Sequence, residues 1–324
     1  MIRCVYRVCI ALLTSAAAAL PLPALAQENY PSKPIRIVIG YAAGGGNDII
    51  VRVMTDELRK GLGQPVIVEN KPGAQSIIAA ELVAKAPADG YTLLMGPSGP
   101  MTINPATYSK LPYDPVRDFA PISMICSFPL LVVVDPRLPV KSVKELIDYA
   151  KANPAKANYA SSAGIFQIAT EMFAQRTGTK IEMIPYKSSG ESVQSVAGGQ
   201  VMMTIVDPPP ATGPLKSGTV RALAVTSPKR HPSWPELPTL IEAGVDMDVP
   251  VWTAFFAPAK TPPAIVARLQ QEVARVVQTP EVKERFATMG LDPVGGSSAD
   301  LGRQVARDIE KWSAVARAAN IKND

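Results

Sequence analysis

Short runs of β-branched and other apolar residues recur along this chain, separated by stretches with helical spacing. Residues 35–39 form the first run; the turn Gly44, Gly45, Gly46 follows, then a helical pattern over 47–62. Strands are predicted at 66–68 and 91–95, with a helix over 77–85 between them. This βαβαβ order implies a mostly parallel sheet with helices on both faces. The pattern restarts with a buried-strand run at 130–134. Ser142 and Glu145 have the spacing of a capping box that opens a helix over 143–152. Strands at 159–160, 181–184, 201–206 and 222–225 then alternate with helices at 166–176, 191–197 and 210–216. This is a second α/β unit of similar size.

A strand at 251–257 and helices over 263–278, 281–289 and 299–319 close the chain. Pro263 suits a first helical turn, where its missing N–H is not needed. These helices are too long for a linker and are expected to return to the first unit. The expected fold is therefore α/β with two lobes. Residues 27–127 and 251–324 form the first domain and residues 128–250 the inserted second one. The hinge consists of two crossing segments, near 125–129 and 248–254.

The N-terminus adds a destination. Arg3 and Arg7 precede an uncharged apolar run over 8–20, too short to span a bilayer. Pro21 and Pro23 break it, and Ala24, Leu25, Ala26 form a small-x-small cleavage site. Residues 1–26 read as a signal peptide, cleaved after Ala26, and the rest as an exported periplasmic protein. Cys4 and Cys9 leave with that peptide, so Cys126 remains as a single thiol without an intramolecular disulfide partner. Removing Arg3 and Arg7 lowers the formal charge from +5 to +3. The remaining charges are dispersed, without the clustered basic face that nucleic-acid binding needs.

Enzyme chemistry is short of parts. The only histidine, His231, stands in a Pro/Ser/Trp loop and reads as a surface residue. No Ser-His-Asp or Cys-His unit and no zinc cluster is expected. The triple glycine lacks both the P-loop lysine and dinucleotide spacing. No cofactor and no metal is expected.

Anion capture by backbone remains. Tyr41, Ala43, Gly44, Gly45, Gly46 and Asn47 join a strand end to a helix start, where free amides and the helix dipole favour a negative group. Ser98 leaves the C-terminal end of another strand. Ser161, Ser162, Ala163 and Gly164 occupy the equivalent place in the second unit. Open α/β sheets bind ligands outside such strand ends.

At these residues the chain resembles the Bug receptors of tripartite tricarboxylate transporters. The likeness runs through Tyr30-Pro31-Ser32-Lys33-Pro34, Gly44-Gly45-Gly46-Asn47-Asp48, Glu69-Asn70-Lys71-Pro72-Gly73-Ala74 and Asp89-Gly90-Tyr91. It continues through Leu111-Pro112-Tyr113-Asp114-Pro115, Gly198-Gly199-Gln200 and Arg221-Ala222-Leu223. The resemblance implies two lobes that close like a Venus flytrap, and delivery of a small carboxylate to membrane permease subunits by a monomer. It also implies a ligand carboxylate gripped by residues 43–47, partly through ordered water. Ser98 and residues 161–164 match the family's other pocket loops, and Asp207 matches a family Asp at a strand end. Trp252 matches a hinge-strand Trp of structural use.

Two departures shape the expected ligand. Where the family usually has a longer Gly/Ser/Thr stretch ending in His, this chain continues Gly164-Ile165-Phe166-Gln167. Where it usually has Asp-Asn, this chain has Asp207-Pro208-Pro209. Both make the pocket less polar. An apolar wall including Phe166 suits an aromatic mono- or dicarboxylate such as terephthalate. Aliphatic di- or tricarboxylates such as citrate, and a signalling receptor in place of a permease, are the alternatives.

Overall fold

The computed structural model describes residues 30–318. The predicted signal peptide, with Cys4 and Cys9, and the end of the last predicted helix at 319 lie outside the described residues.

Strand β1 (Ile35–Ile39) is buried on both faces apart from Arg36, as a central strand covered by helices must be. Helix α1 (Gly46–Leu62) buries Ile50, Met54, Leu58 and Leu62, one stripe at four-residue spacing. Gly63 ends it at φ 69°, its N–H reaching the Arg59 carbonyl at 2.9 Å, a left-handed stop that glycine adopts without strain. β2 (Val66–Asn70), α2 (Ile77–Ala84) and β3 (Thr92–Pro97) follow. β2 and β3 flank β1 in parallel, as the βαβαβ pattern predicts.

β4 (Phe119–Phe128) runs almost directly into β5 (Leu131–Val134), whose four residues are all buried. Helix α3 (Val143–Ala152) is capped as predicted: Ser142 Oγ accepts the Glu145 N–H at 3.2 Å, and Glu145 accepts the Lys141 N–H. Such caps contribute about 1 kcal/mol each. Then come β6 (Asn158–Ser161), α4 (Gly164–Thr177), β7 (Glu182–Pro185), α5 (Ser189–Ala197), β8 (Met203–Val206), α6 (Pro208–Lys216) and β9 (Arg221–Val225). β10 (Val251–Pro258), α7 (Pro263–Val277), α8 (Pro280–Thr288), β11 (Asp292–Gly295) and α9 (Ser298–Ala318) complete the chain. Helix α9 packs Leu301 and Val305 against Val38, Leu94, Phe119 and Phe256.

The strands form two sheets, a six-stranded β11-β4-β10-β3-β1-β2 and a five-stranded β7-β6-β8-β5-β9. From Lys33 onward both belong to one compact unit. The sheets are mixed rather than mostly parallel. β2-β1-β3 and β7-β6-β8 pair in parallel, while β10 is antiparallel to β3 and β4, and β5 to β8 and β9. The cause is the crossing between lobes. β4 leaves the first sheet where β10 re-enters it, so the two run side by side in opposite senses. Val251 stands opposite Phe128, Trp252 opposite Ser127 and Thr253 opposite Cys126, joining the two segments predicted to cross.

Sequence pattern alone missed β4 as a full strand, because Pro121, Ser123 and Ser127 interrupt its apolar run. It also missed β11, which contains Pro293. His231 departs from expectation as well. It is buried, with Nε2 3.3 Å from Asp292 Oδ2 and Nδ1 accepting the Ser233 N–H. The Trp234 ring lies beside it, 5.3 Å away between centroids and tilted by 40°.

Candidate functional site

Strand β1 delivers the chain to residues 40–45. Gly40 lies against Ser76: a methyl group there would stand 1.8 Å from the Ser76 hydroxyl oxygen. Tyr41 is buried, and burial pushes its phenol far up. Gly44 has φ +79°, and Gly45 is the extended N-cap of α1.

The glycine amides, expected to be free for an anion, are bonded within the protein. Gly44 N–H reaches Asp48 Oδ2 at 3.0 Å, Gly45 N–H the Ala42 carbonyl at 3.4 Å, and Gly46 N–H the Ser189 hydroxyl of the second lobe at 3.1 Å. Unpaired amides are costly away from water, and a corner without side chains lets partners approach. Burial raises the Asp48 carboxyl, but hydrogen bonds from Arg52, Gly44 and Asn70 outweigh it and hold the group below its ordinary range. The corner also joins the lobes. Ala42 N–H bonds the Lys187 carbonyl at 3.3 Å, and a methyl on Gly190 would stand 2.6 Å from the Gly44 carbonyl oxygen. The amides of Asn47 and Asp48, in the first turn of α1, have no acceptor among the described residues.

Across the cleft, Ala163 is the N-cap of α4, which opens at Gly164, ahead of the predicted start at 166. Ser161 Oγ donates to the Ala163 carbonyl at 3.3 Å. Asp207 follows β8 and is the N-cap of α6, with only 2% exposure. An N-cap carboxylate ordinarily accepts an N–H from the second or third helical residue. Here those positions are Pro209 and Pro210, after Pro208, and none of the three has an N–H. No capping hydrogen bond forms. Asp207 turns instead toward Gly46. Burial pushes its carboxyl up to about 6, against hydrogen bonds from Ser189 and its own N–H that pull it down.

Asp207 Oδ1 is buried without a hydrogen-bond partner. Among the described residues, so are Gln75 Oε1, Ser76 Oγ, Ser98 Oγ, Asn104 Oδ1 and Ser162 Oγ. Gln75, Ser162 and Asp207 line one cleft. Ser76 underlies Gly40, Asn104 Nδ2 donates to the Gln75 carbonyl and Ser98 follows Pro97, all three being neighbours of residues that line it. A methyl on Gly164 would stand 2.6 Å from Gln75 Oε1 and 3.5 Å from Asn104 Oδ1. Ser98 follows β3 and precedes Gly99, where an added methyl would stand 3.5 Å from the Tyr41 hydroxyl. Buried polar atoms are nearly always paired, so this concentration distinguishes the cleft from the rest of the interior.

The cleft holds an outer cavity of about 440 Å³, within the range of small-molecule sites, and an inner crevice of about 20 Å³. Tyr41, Ser162 and Ala163 line both, and Ser161 lines the outer one. Gly45, Gly46, Asn47, Phe166 and Asp207 line the inner one. Ala43, Gly44, Ser98 and Gly164 line neither, and Ala43 and Gly44 are exposed. The sequence reading missed Gln75, Gln167, Tyr186 and Lys187 on the outer cavity. Gln75 Nε2 reaches Gln167 Oε1 across the cleft at 3.4 Å. It sits in a left-handed run, Ala74, Gln75 and Ser76 at φ 44°, 50° and 72°. Such strain gathers at ligand clamps.

Residues 50–321 match the model of a family described as the tripartite tricarboxylate transporter family receptor. The chain belongs to that family. Its relatives include protein BugT of Bordetella pertussis, 35% identical over 96% of this chain and 95% of BugT. Among solved structures, Rpa4515 of R. palustris with adipate is 36% identical, with TM-score 0.87 over 90% of this chain and 99% of that one. MatC of Rhodopseudomonas palustris with bound malate is 30% identical, with TM-score 0.85 over 88% and 99%. The receptor thus has the two-lobed fold of periplasmic binding proteins. No described helix is long and apolar enough to cross a membrane.

Proposed function

We propose that this receptor is exported to the periplasm after loss of residues 1–26. There, as a monomer without catalytic activity, it closes residues 27–127 and 251–324 against residues 128–250 around a small carboxylate. It then presents that carboxylate to the membrane subunits of a tripartite transporter. The observation that carries this reading is the gathering of unpartnered buried oxygens around a single cleft between the two sheets. Family membership and the adipate and malate in two relatives support the ligand class. The Ser162 hydroxyl and the amides of Gly164 and Ile165, which open α4, are the donors offered to the carboxylate. No lysine or arginine is needed, because each hydrogen bond to a charged group contributes roughly 1.5–3 kcal/mol.

An aromatic mono- or dicarboxylate is the preferred guest. Tyr41, Phe128, Ile165 and Phe166 line the inner crevice, and rings stack on such walls. The crevice widens to admit a ring only if the lobes part, as hinge closure allows. A thermal-shift screen of benzoate, terephthalate, succinate, adipate and citrate tests the reading. A rise in melting temperature with at least one of them at millimolar concentration is expected, and silence from all of them would sink it.

A further inference from the structure

The buried oxygens at the cleft differ in chemistry. Ser98 and Ser162 carry hydroxyls, which both donate and accept. The amides of Gln75 and Asn104 exchange donor for acceptor by a half-turn. Asp207, ionised, only accepts. Its Oδ1 has no partner, and the residue is 2% exposed. Its own helix cannot satisfy it, because Pro208, Pro209 and Pro210 begin α6 without an N–H. Among the described residues no ammonium or guanidinium is paired with it; burial raises its carboxyl, against hydrogen bonds from Ser189 and its own N–H. Its other oxygen presses on Gly46, where a methyl group would stand 1.5 Å from Oδ2. The carboxylate therefore fills the space before the N-terminus of α1 and turns an acceptor into the inner crevice, which Tyr41, Phe166 and Ser189 also line.

A second anion placed against this group is repelled, and an apolar atom leaves it desolvated and unpaired. A hydrogen-bond donor is what it lacks. We propose that Asp207 is the specificity-determining residue of the cleft, and that the guest is a small carboxylate bearing a second, donor group, a hydroxyl or an ammonium, which Asp207 accepts at the inner end. This rests on the carboxylate-receptor reading above and adds the end of the guest that faces away from the captured anion. The three prolines are its sequence signature. They deprive the aspartate of the partner that an N-cap normally finds.

The test compares matched ligands by calorimetry at pH 7.5: benzoate with its 2-, 3- and 4-hydroxy and 4-amino derivatives, and succinate with malate and aspartate. For wild type, at least one donor-bearing ligand is expected to bind at least tenfold more tightly than its parent. That corresponds to the roughly 1.5–3 kcal/mol of a hydrogen bond to a charged group. In Asp207→Asn the ratio falls to within about threefold, while the parent carboxylate binds as well as before or better. Trp252→Phe, at a residue that lines neither cavity, retains the preference. If parents and derivatives bind wild type equally, or if Asp207→Asn keeps the full preference, the inference is wrong while the receptor reading stands. If no carboxylate in the set binds wild type at millimolar concentration, both fail. A melting curve of each variant checks that loss of preference is not loss of fold.

Discussion

The α-carbon of Gly46 and the carboxylate of Asp207 are in contact across the cleft: a methyl group on Gly46 would stand 1.5 Å from Oδ2 and 2.7 Å from Cγ. Gly46 follows β1 of one sheet and Asp207 follows β8 of the other, so parting of the lobes would break this contact. Gly46→Ala is expected to keep each lobe folded and to oppose closure. Overpacking of this kind costs about 1–3 kcal/mol, which is roughly fivefold to 150-fold in affinity. Calorimetry with the best carboxylate should show that loss, and small-angle scattering with ligand present should show a larger radius of gyration than wild type. Unchanged affinity would mean that the shut arrangement is not the binding one.

Asp207 also gives the protein a pH signature. Its carboxyl stands at about 6 in the folded chain against an ordinary value of 3.8, so the folded state holds the proton more tightly than the unfolded one. Stability from this group is present in full below pH 3.8 and falls as pH rises toward 6. The span corresponds to about 3 kcal/mol. Asp207→Asn lacks this dependence. Urea midpoints at pH 4, 6 and 8 should therefore show the variant gaining on wild type as pH rises, with the gap levelling off above pH 7. A constant gap would contradict the buried, acceptor-only environment described for this group.

Phe166 is buried against the inner crevice. Phe166→Leu keeps most of its volume and removes the ring face. Aromatic pairing contributes about 0.5–1.5 kcal/mol beyond area burial. Benzoate or terephthalate affinity should fall about threefold to tenfold, and succinate affinity by less than twofold. Equal losses for both would remove the argument for a ring in the crevice.

Trp252 lies in β10 beside the crossing with β4, and its Nε1 donates to Asp308 Oδ2 of α9 at 2.7 Å. It lines neither cavity. Trp252→Phe breaks that tie between the crossing strand and the C-terminal helix. A loss of about 1–3 kcal/mol in unfolding free energy is expected, since a hydrogen bond to a carboxylate is removed and its acceptor stranded. Ligand affinity, measured well below the melting temperature, should change by less than twofold.

Periodicity located much of the architecture. The βαβαβ start, the capped helix at 143–152 and the meeting of the segments around Phe128 and Val251 all follow from local pattern. Strand direction was less legible. Whether a run pairs in parallel depends on which lobe the chain has just left, and no residue in β10 encodes that. At the candidate site, glycine spacing pointed to a corner that borders the inner crevice, but the glycine amides expected to be free are bonded within the protein. Ser189 and Asp48, the acceptors for two of them, are read from the fold and from the helix turn, not from the loop. Gln75 and Gln167 escaped because a single glutamine carries no pattern. Only the positive φ run at 74–76 sets Gln75 apart. Asp207 was visible as a family position. What its neighbours take from it becomes plain once the missing N–H groups are counted.

The proline run has one more implication. Pro210 occupies the third position of α6 and lines neither cavity. Replacing it with alanine would return an N–H to the place where an N-cap carboxylate looks for one, drawing Asp207 back toward its own backbone. Discrimination among guests would then fade although every atom facing them keeps its identity. Diet, in such a receptor, is adjustable by a pyrrolidine ring that never meets the food.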